Sequence, residues 1–130
     1  MFKKILGKHA EDIAVSFLKK RGFLIIERNF FTRLGEIDIV AKEGDFMVFV
    51  EVRSARGSSF HDPLESITAS KIKRLQKLAL LWLNYRGLAE SFIRFDVIAV
   101  IFKERYNNTA WDRFFSTGPN AEIRHIKNAF

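Results

Sequence analysis

Gly35-Glu36-Ile37-Asp38-Ile39-Val40-Ala41, then Lys42-Glu43-Gly44-Asp45, then Phe46-Met47-Val48-Phe49-Val50-Glu51-Val52-Arg53 is the stretch whose reading decides the fold. Its two apolar, β-branched runs predict strands over Glu36–Ala41 and Phe46–Arg53. The short link with a glycine in it predicts an antiparallel hairpin. The acids are the anomaly. Burying an unpaired carboxylate costs several kcal/mol, so Glu36, Asp38 and Glu51 inside apolar strands call for a compensating cation.

Strand geometry narrows the choice. Side chains alternate, so Glu36, Asp38 and Val40 are expected on one face, and Phe49, Glu51 and Arg53 on one face of the next strand. A loop with an even number of residues, such as Glu43-Gly44, puts Asp38 opposite Phe49 and Glu36 opposite Glu51. Asp38 and Glu51 then become diagonal neighbours about 7–8 Å apart at the Cα level. An odd loop sends them to opposite faces. Two converging carboxylates form a hard oxygen site suited to Mg²⁺ or Mn²⁺. With Arg53 beside it, such a site has the equipment for phosphodiester hydrolysis. A salt bridge from Glu51 to Arg53 or to a more distant arginine, with Glu36 at an exposed strand start, answers the same burial problem.

Outward from the hairpin, Ala10, Ile13, Ala14, Phe17 and Leu18 recur at helical spacing, predicting a helix over Gly7–Arg21 that stops at Gly22. Phe23–Glu27 reads as a short strand. Arg53 to His61 reads as a polar loop able to close over a substrate. Asp62-Pro63-Leu64-Glu65 reads as a helix start, with Asp62 as cap and Pro63 in the first helical position. That helix runs to about Arg86, with a possible break near Ser70, and ends at Gly87. Phe92–Phe102 is a strand whose fully apolar second half belongs inside a sheet. Residues 106–120 read as irregular, and Glu122–Ile126 as a last strand or a docked tail. The order is helix, three strands, helix, strand: an α/β sandwich with a mixed sheet.

Composition bounds the chemistry. The chain has 130 residues, enough for a single domain, and no cysteine. That excludes disulfides, thiolate nucleophiles, iron–sulfur clusters and cysteine-type zinc sites. The longest apolar runs, Leu78–Leu83 and Val97–Phe102, fall far short of the roughly 20 residues a membrane span needs. Met1–Leu6, broken by Lys3 and Lys4, does not read as a secretory signal. The expectation is a soluble, cytoplasmic protein with no membrane partner. Lysine and arginine number 22 against 15 acids, a net charge of +7, which points to a polyanion partner, most often nucleic acid. Lys71, Arg74 and Lys77 fall along one side of the second helix and can grip a phosphate backbone. Arg56 stands in the loop after the acidic strand. No glycine-rich phosphate loop and no G-x-S-x-G elbow is present. His9, His61 and His125 form no zinc pattern, and Asp96 reads as the structural partner of Arg94.

At Gly35-Glu36-Ile37-Asp38-Ile39-Val40 and Phe49-Val50-Glu51-Val52-Arg53 the sequence resembles the bacterial UPF0102 (YraN-like) family. That family is similar in turn to the PD-(D/E)XK nucleases, including archaeal Holliday junction resolvases. The resemblance extends over nearly the whole chain. Gly7–Gly22 resembles the opening helix, Arg28-Asn29 a turn before the acidic strand, and Phe60–Lys71 the mid-chain loop and helix start. Arg94-Phe95-Asp96-Val97 resembles the late strand, and Ile123–Phe130 the ending.

The resemblance implies the restriction-endonuclease-like α-β-β-β-α-β fold. It implies Asp38 and Glu51 as metal-binding catalytic acids, Glu11 of the first helix as a third, and a basic residue at position 53. Lysine is usual there in the superfamily. Arg53 departs from the pattern: it holds a phosphate electrostatically but does not release a proton. It further implies a Mg²⁺- or Mn²⁺-dependent endonuclease acting on DNA, branched or damaged, and a homodimer to match a two-fold junction. A non-catalytic DNA-binding protein on the same fold, and a protein-interaction module, are the alternative expectations.

Overall fold

The computed structural model describes residues 2–56, 62, 64–102 and 121–130, with side chains from residue 7 onward. Its elements run α1 (Phe2–Lys20), β1 (Leu24–Thr32), β2 (Gly35–Glu43), β3 (Phe46–Arg56), α2 (Ala69–Tyr85), β4 (Phe92–Phe102) and β5 (Ala121–Ile126). The α-β-β-β-α-β order read from the sequence is present, with β5 added at the end. Pro63, His61 and the irregular segment 106–120 lie outside the described residues.

The five strands lie in sequence order. β1–β2, β2–β3 and β4–β5 pair antiparallel, whereas β3–β4 pair in parallel, as a connection through a helix requires. The helices cover opposite faces. Ala10, Ala14 and Leu18 of α1 pack on Ile39, Ala41, Val48, Val50, Ile98 and Val100. Leu75, Leu78, Ala79, Trp82 and Leu83 of α2 pack on Ile37, Val40, Met47, Phe49 and Phe95. With a helix on each face, β4 is buried continuously from Phe95 to Phe102.

Local signals explain the helix ends. At the end of α1 the Gly22 N–H donates to the Lys19 carbonyl at 3.1 Å and the Phe23 N–H to the Leu18 carbonyl at 3.0 Å. This closure needs a left-handed residue, which Gly22 supplies with φ of 88°. The start of α2 differs from the expectation. Asp62 caps only a turn, accepting from the Leu64 N–H at 3.0 Å. The helix begins seven residues later because the Thr68 hydroxyl accepts from the Lys71 N–H at 3.2 Å.

Three strands outrun their predicted ends, β2 by the two residues to Glu43. β1 continues through Thr32, so Arg28 and Asn29 lie within a strand and not in a turn. β3 continues through Arg56, so the residues read as the start of a loop are paired to β4 up to Arg56↔Phe102.

The hairpin loop is even, as expected, but it is Gly44-Asp45, with Glu43 paired to Phe46. The register is therefore shifted by two: the ladder runs to Ile39↔Val50, and its continuation brings Asp38 level with Glu51, not with Phe49. The shared face expected for Glu36, Asp38 and Val40 holds for the two acids but not for Val40. Ile37 and Val40 pack under α2, whereas Ile39 and Ala41 pack under α1, so β2 changes face around Asp38. β1 changes face beside it, at Asn29, whose φ of 56° is left-handed. Asn29 lies between the pairs Arg28↔Ile39 and Phe30↔Ile37.

Candidate functional site

That paired irregularity opens a cleft of about 690 Å³ between α1 and the ends of β1, β2 and β3. Lys8, Glu11, Asp12, Arg28, Asn29, Glu36, Asp38, Val52 and Ser54 are among the residues that line it. One carboxylate oxygen from each of Glu11, Glu36 and Asp38 lies within 4.8 Å of the other two. Helical spacing places Glu11 one residue past the buried Ala10 and therefore at the rim of the apolar stripe. Strand alternation sends Glu36 and Asp38 the same way.

The electrostatics are those of carboxylates gathered without a cation. Burial pushes the Asp38 carboxyl up to about 8, and the negative charge of Glu51 adds to it, followed by those of Glu11 and Glu36. A hydrogen bond from the Val52 N–H to Asp38 Oδ2, 2.8 Å, works in the other direction. That bond stands just past the last pair of the β2–β3 ladder, so an acid side chain takes up an N–H of β3 where the ladder has stopped. Burial likewise raises the Glu11 carboxyl, Arg28 opposes the rise, and Glu36 reinforces it. Glu11 Oε1 is buried without a hydrogen bond among the described residues and lies 3.5 Å from Arg28 Nη2, while contacts of the carboxyl with Asn29 and Arg28 also oppose the rise. The same Nη2 donates to Asp12 Oδ1 at 2.6 Å.

Glu51 stands apart from this trio. It is buried, 8% exposed, and Lys71 Nζ sits 2.8 Å from its Oε1. Arg53, on the same strand face, is 3.8 Å from that oxygen. Its Nη2 donates to the carbonyl oxygen of Ser66 at 2.9 Å and to Ser66 Oγ at 2.8 Å. Lys71, expected on a phosphate backbone, is thus an ion-pair partner of Glu51. Arg74 and Lys77 are exposed on α2, and Arg56 is exposed at the end of β3. A Cβ on Gly35 would stand 3.5 Å from Arg74 Cδ, so the arginine stem lies over the start of the acidic strand.

Alternation places Glu36 on the face of Asp38, and the structure adds it to the two acids, Glu11 and Asp38, expected at the site. Arg28 carried no signal as a site residue, since its role depends on the face change at Asn29. The other polar candidates are accounted for by packing. His9 stacks on Phe102, with ring centroids 6.1 Å apart. Asp96, fully buried, accepts from Arg94 Nε at 2.9 Å and from the Asn128 N–H at 3.0 Å, and its Oδ2 is 2.8 Å from His125 Nε2. Burial alone would raise Asp96; the contacts with His125, Arg94 and Asn128 hold it below the usual carboxylate range. Among the described residues no helix is long and apolar enough to cross a membrane.

Comparison with known proteins adds one family. A family model described as "Uncharacterised protein family UPF0102" matches residues 10–100. A UPF0102 protein of Rhodococcus jostii is 39% identical over 125 residues, 96% of this chain and 95% of its own length. One from Pelotomaculum thermopropionicum is 40% identical over 128 residues, 98% of this chain and 97% of its own. One from Dictyoglomus turgidum is 38% identical over 112 residues, 86% of this chain and 95% of its own.

Proposed function

The chain belongs to the UPF0102 family, and from that membership and the acidic cleft we propose that it is a nucleic-acid-binding protein and a metal-dependent endonuclease that hydrolyses DNA phosphodiesters in the cytoplasm. The observation that carries the reading is the meeting of Glu11, Glu36 and Asp38 from two elements, with Glu51 close enough to raise Asp38. Three carboxylate donors are a hard oxygen set that fits Mg²⁺ or Mn²⁺. The buried, unbonded Glu11 Oε1 and the raised Asp38 are what such a site shows when no cation offsets its charges. A divalent ion held by these residues supplies a water of lowered pKa and offsets charge on the phosphate.

The chain's own residues supply the rest. Lys8 and Arg28 bring positive charge to the cleft walls beside the acids. The net charge of +7 draws a polyanion to the molecule. Hydrolysis adds the oxygen of one water to phosphorus and breaks one P–O ester bond. It leaves a phosphate monoester on one side of the cut and a hydroxyl on the other. The substrate is DNA, branched or damaged, and a second copy of the chain matches a two-fold junction.

The Lys71–Glu51 pair favours one competing reading. It satisfies Glu51 without an ion, as a DNA-binding protein that has lost cleavage would. Labelled four-way, flapped, single-stranded and duplex DNA incubated with Mg²⁺, Mn²⁺ or EDTA separates the two. Metal-dependent products that disappear in Asp38→Ala and Glu51→Ala are the expected result. Salt-sensitive binding with no products in any of the three proteins would refute the nuclease and leave a binding protein. Absence of salt-sensitive binding would refute both and point to a protein partner.

A further inference from the structure

Glu51 is a buried carboxylate with two cations in reach, and they are not equivalent. Arg53 has Nη2 committed to the Ser66 carbonyl and hydroxyl and stands 3.8 Å from Glu51 Oε1. Lys71 approaches the same oxygen at 2.8 Å with a side chain 23% exposed. An ammonium carries three N–H donors. Glu51 is the one acceptor that Lys71 Nζ meets among the described residues. Paired with a single carboxylate oxygen, the ammonium keeps N–H donors for an anionic oxygen arriving beside Glu51.

The two basic residues are also linked through the backbone. Arg53 holds Ser66, two residues ahead of the cap residue Thr68, and the Thr68 hydroxyl accepts from the Lys71 N–H at 3.2 Å. Lys71 then returns to Glu51, two residues before Arg53 on the same strand face. The ring Glu51, Arg53, Ser66, Thr68, Lys71 fixes the start of α2 relative to β3.

We propose that Lys71, delivered by α2, is the cation that meets a backbone phosphate at this site, and that Arg53 is a positioning residue that sets the start of α2 so that Lys71 reaches Glu51. The assignment rests on the nucleic-acid reading above. It keeps the phosphate role expected of Lys71 but places it beside Glu51, and it changes the role of Arg53, which the sequence reading set against the phosphate.

The test uses the full chain and the variants Lys71→Met, Lys71→Arg, Arg53→Met and Arg53→Lys. DNA binding is followed by fluorescence anisotropy in EDTA over a salt series, and cleavage is followed with Mn²⁺. Lys71→Met is expected to weaken binding ~3–10-fold and to lower the salt slope by about one. It is expected to reduce cleavage ~100-fold, and Lys71→Arg restores the salt slope. Arg53→Met keeps the wild-type salt slope and loses less than ~10-fold in cleavage, and Arg53→Lys, which retains a donor for Ser66, regains it.

The proposal is overturned if Lys71→Met binds and cuts like the wild type, or if Arg53→Met shows the slope loss assigned to Lys71. If the wild type binds but does not cut, the nuclease reading falls, and the salt slopes alone decide which cation meets the phosphate. If the wild type shows no salt-dependent binding, both fall.

Discussion

Asp38→Asn isolates the electrostatic strain of the cleft. In the folded protein the Asp38 carboxyl is carried from its usual 3.8 to about 8, by burial first and by the charge of Glu51 second. Between about pH 4 and pH 8 the folded chain therefore keeps a proton that the unfolded chain has released. The folded state binds more protons over that window, so stability falls as pH rises through it. The ceiling is ~1.4 kcal/mol for each pH unit crossed, or about 4 kcal/mol from about pH 5 to pH 8. The carboxyl is only half-buried at an open cleft, and solvent screening brings the expected loss to about 2 kcal/mol.

Asparagine keeps an oxygen for the Val52 N–H, which donates to Asp38 at 2.8 Å, and has nothing to titrate. Urea unfolding in EDTA, read by tryptophan fluorescence, should show the wild type weakening over this range relative to Asp38→Asn. The variant should be the more stable protein at about pH 8. Groups held below their usual range, Asp12, Glu27, Glu43 and Asp96, titrate under this window and do not contribute to the slope. Equal slopes in the two proteins, or a wild type that gains stability relative to the variant as pH rises, would show that Asp38 does not hold this proton in the folded state. Mn²⁺, by offsetting the charge, should flatten the wild-type slope.

Leu18 of α1 is fully buried against the sheet; Leu18→Ala should cost about 3 kcal/mol in urea unfolding, and a loss under ~1 kcal/mol would show that the α1 layer is not packed as described. Asp96→Asn breaks the pairing of a fully buried carboxylate with the partly exposed Arg94 and should cost about 3 kcal/mol. Glu122→Ala, at a half-exposed pair with Arg124, should stay within ~0.5 kcal/mol, and comparable losses in the two would contradict the burial argument. Gly35 has φ of 134°, a backbone that a side chain strains by about 1–3 kcal/mol; Gly35→Ala should lower the urea midpoint accordingly, and an unchanged midpoint would place the strain elsewhere.

Much of the frame was legible in the chain. The strands at Phe46 and Phe92 begin where apolar alternation begins, because period two is a property of extended backbone and needs no partner. Gly22 marks the helix end because only a left-handed residue closes the last carbonyls of α1. The even hairpin follows from one short Gly-containing link. Errors gather where a choice is settled across space. Asp62-Pro63 carries stronger local start signals than Thr68, yet α2 begins after Thr68. There the hydroxyl caps the helix, and Arg53, on a different strand, holds the preceding Ser66. The register came out two residues from expectation because two even loops satisfy the same parity, and parity alone does not choose between them.

The sequence alone determined that acids sit in apolar strands, that they require a cation, and that the surface is basic, since these follow from composition and burial cost. Which carboxylates meet was decided by the tertiary structure. Asn29 turns left-handed and β1 and β2 change face together, so Glu36 and Asp38 swing toward Glu11 while Ile37 stays under α2. Glu51, on the far side of the parted ladder, takes Lys71 from a helix twenty residues on. Periodicity fixes which way a side chain leaves its own strand. Its partner depends on register, strand parting and helix placement, which exist only once the chain has packed.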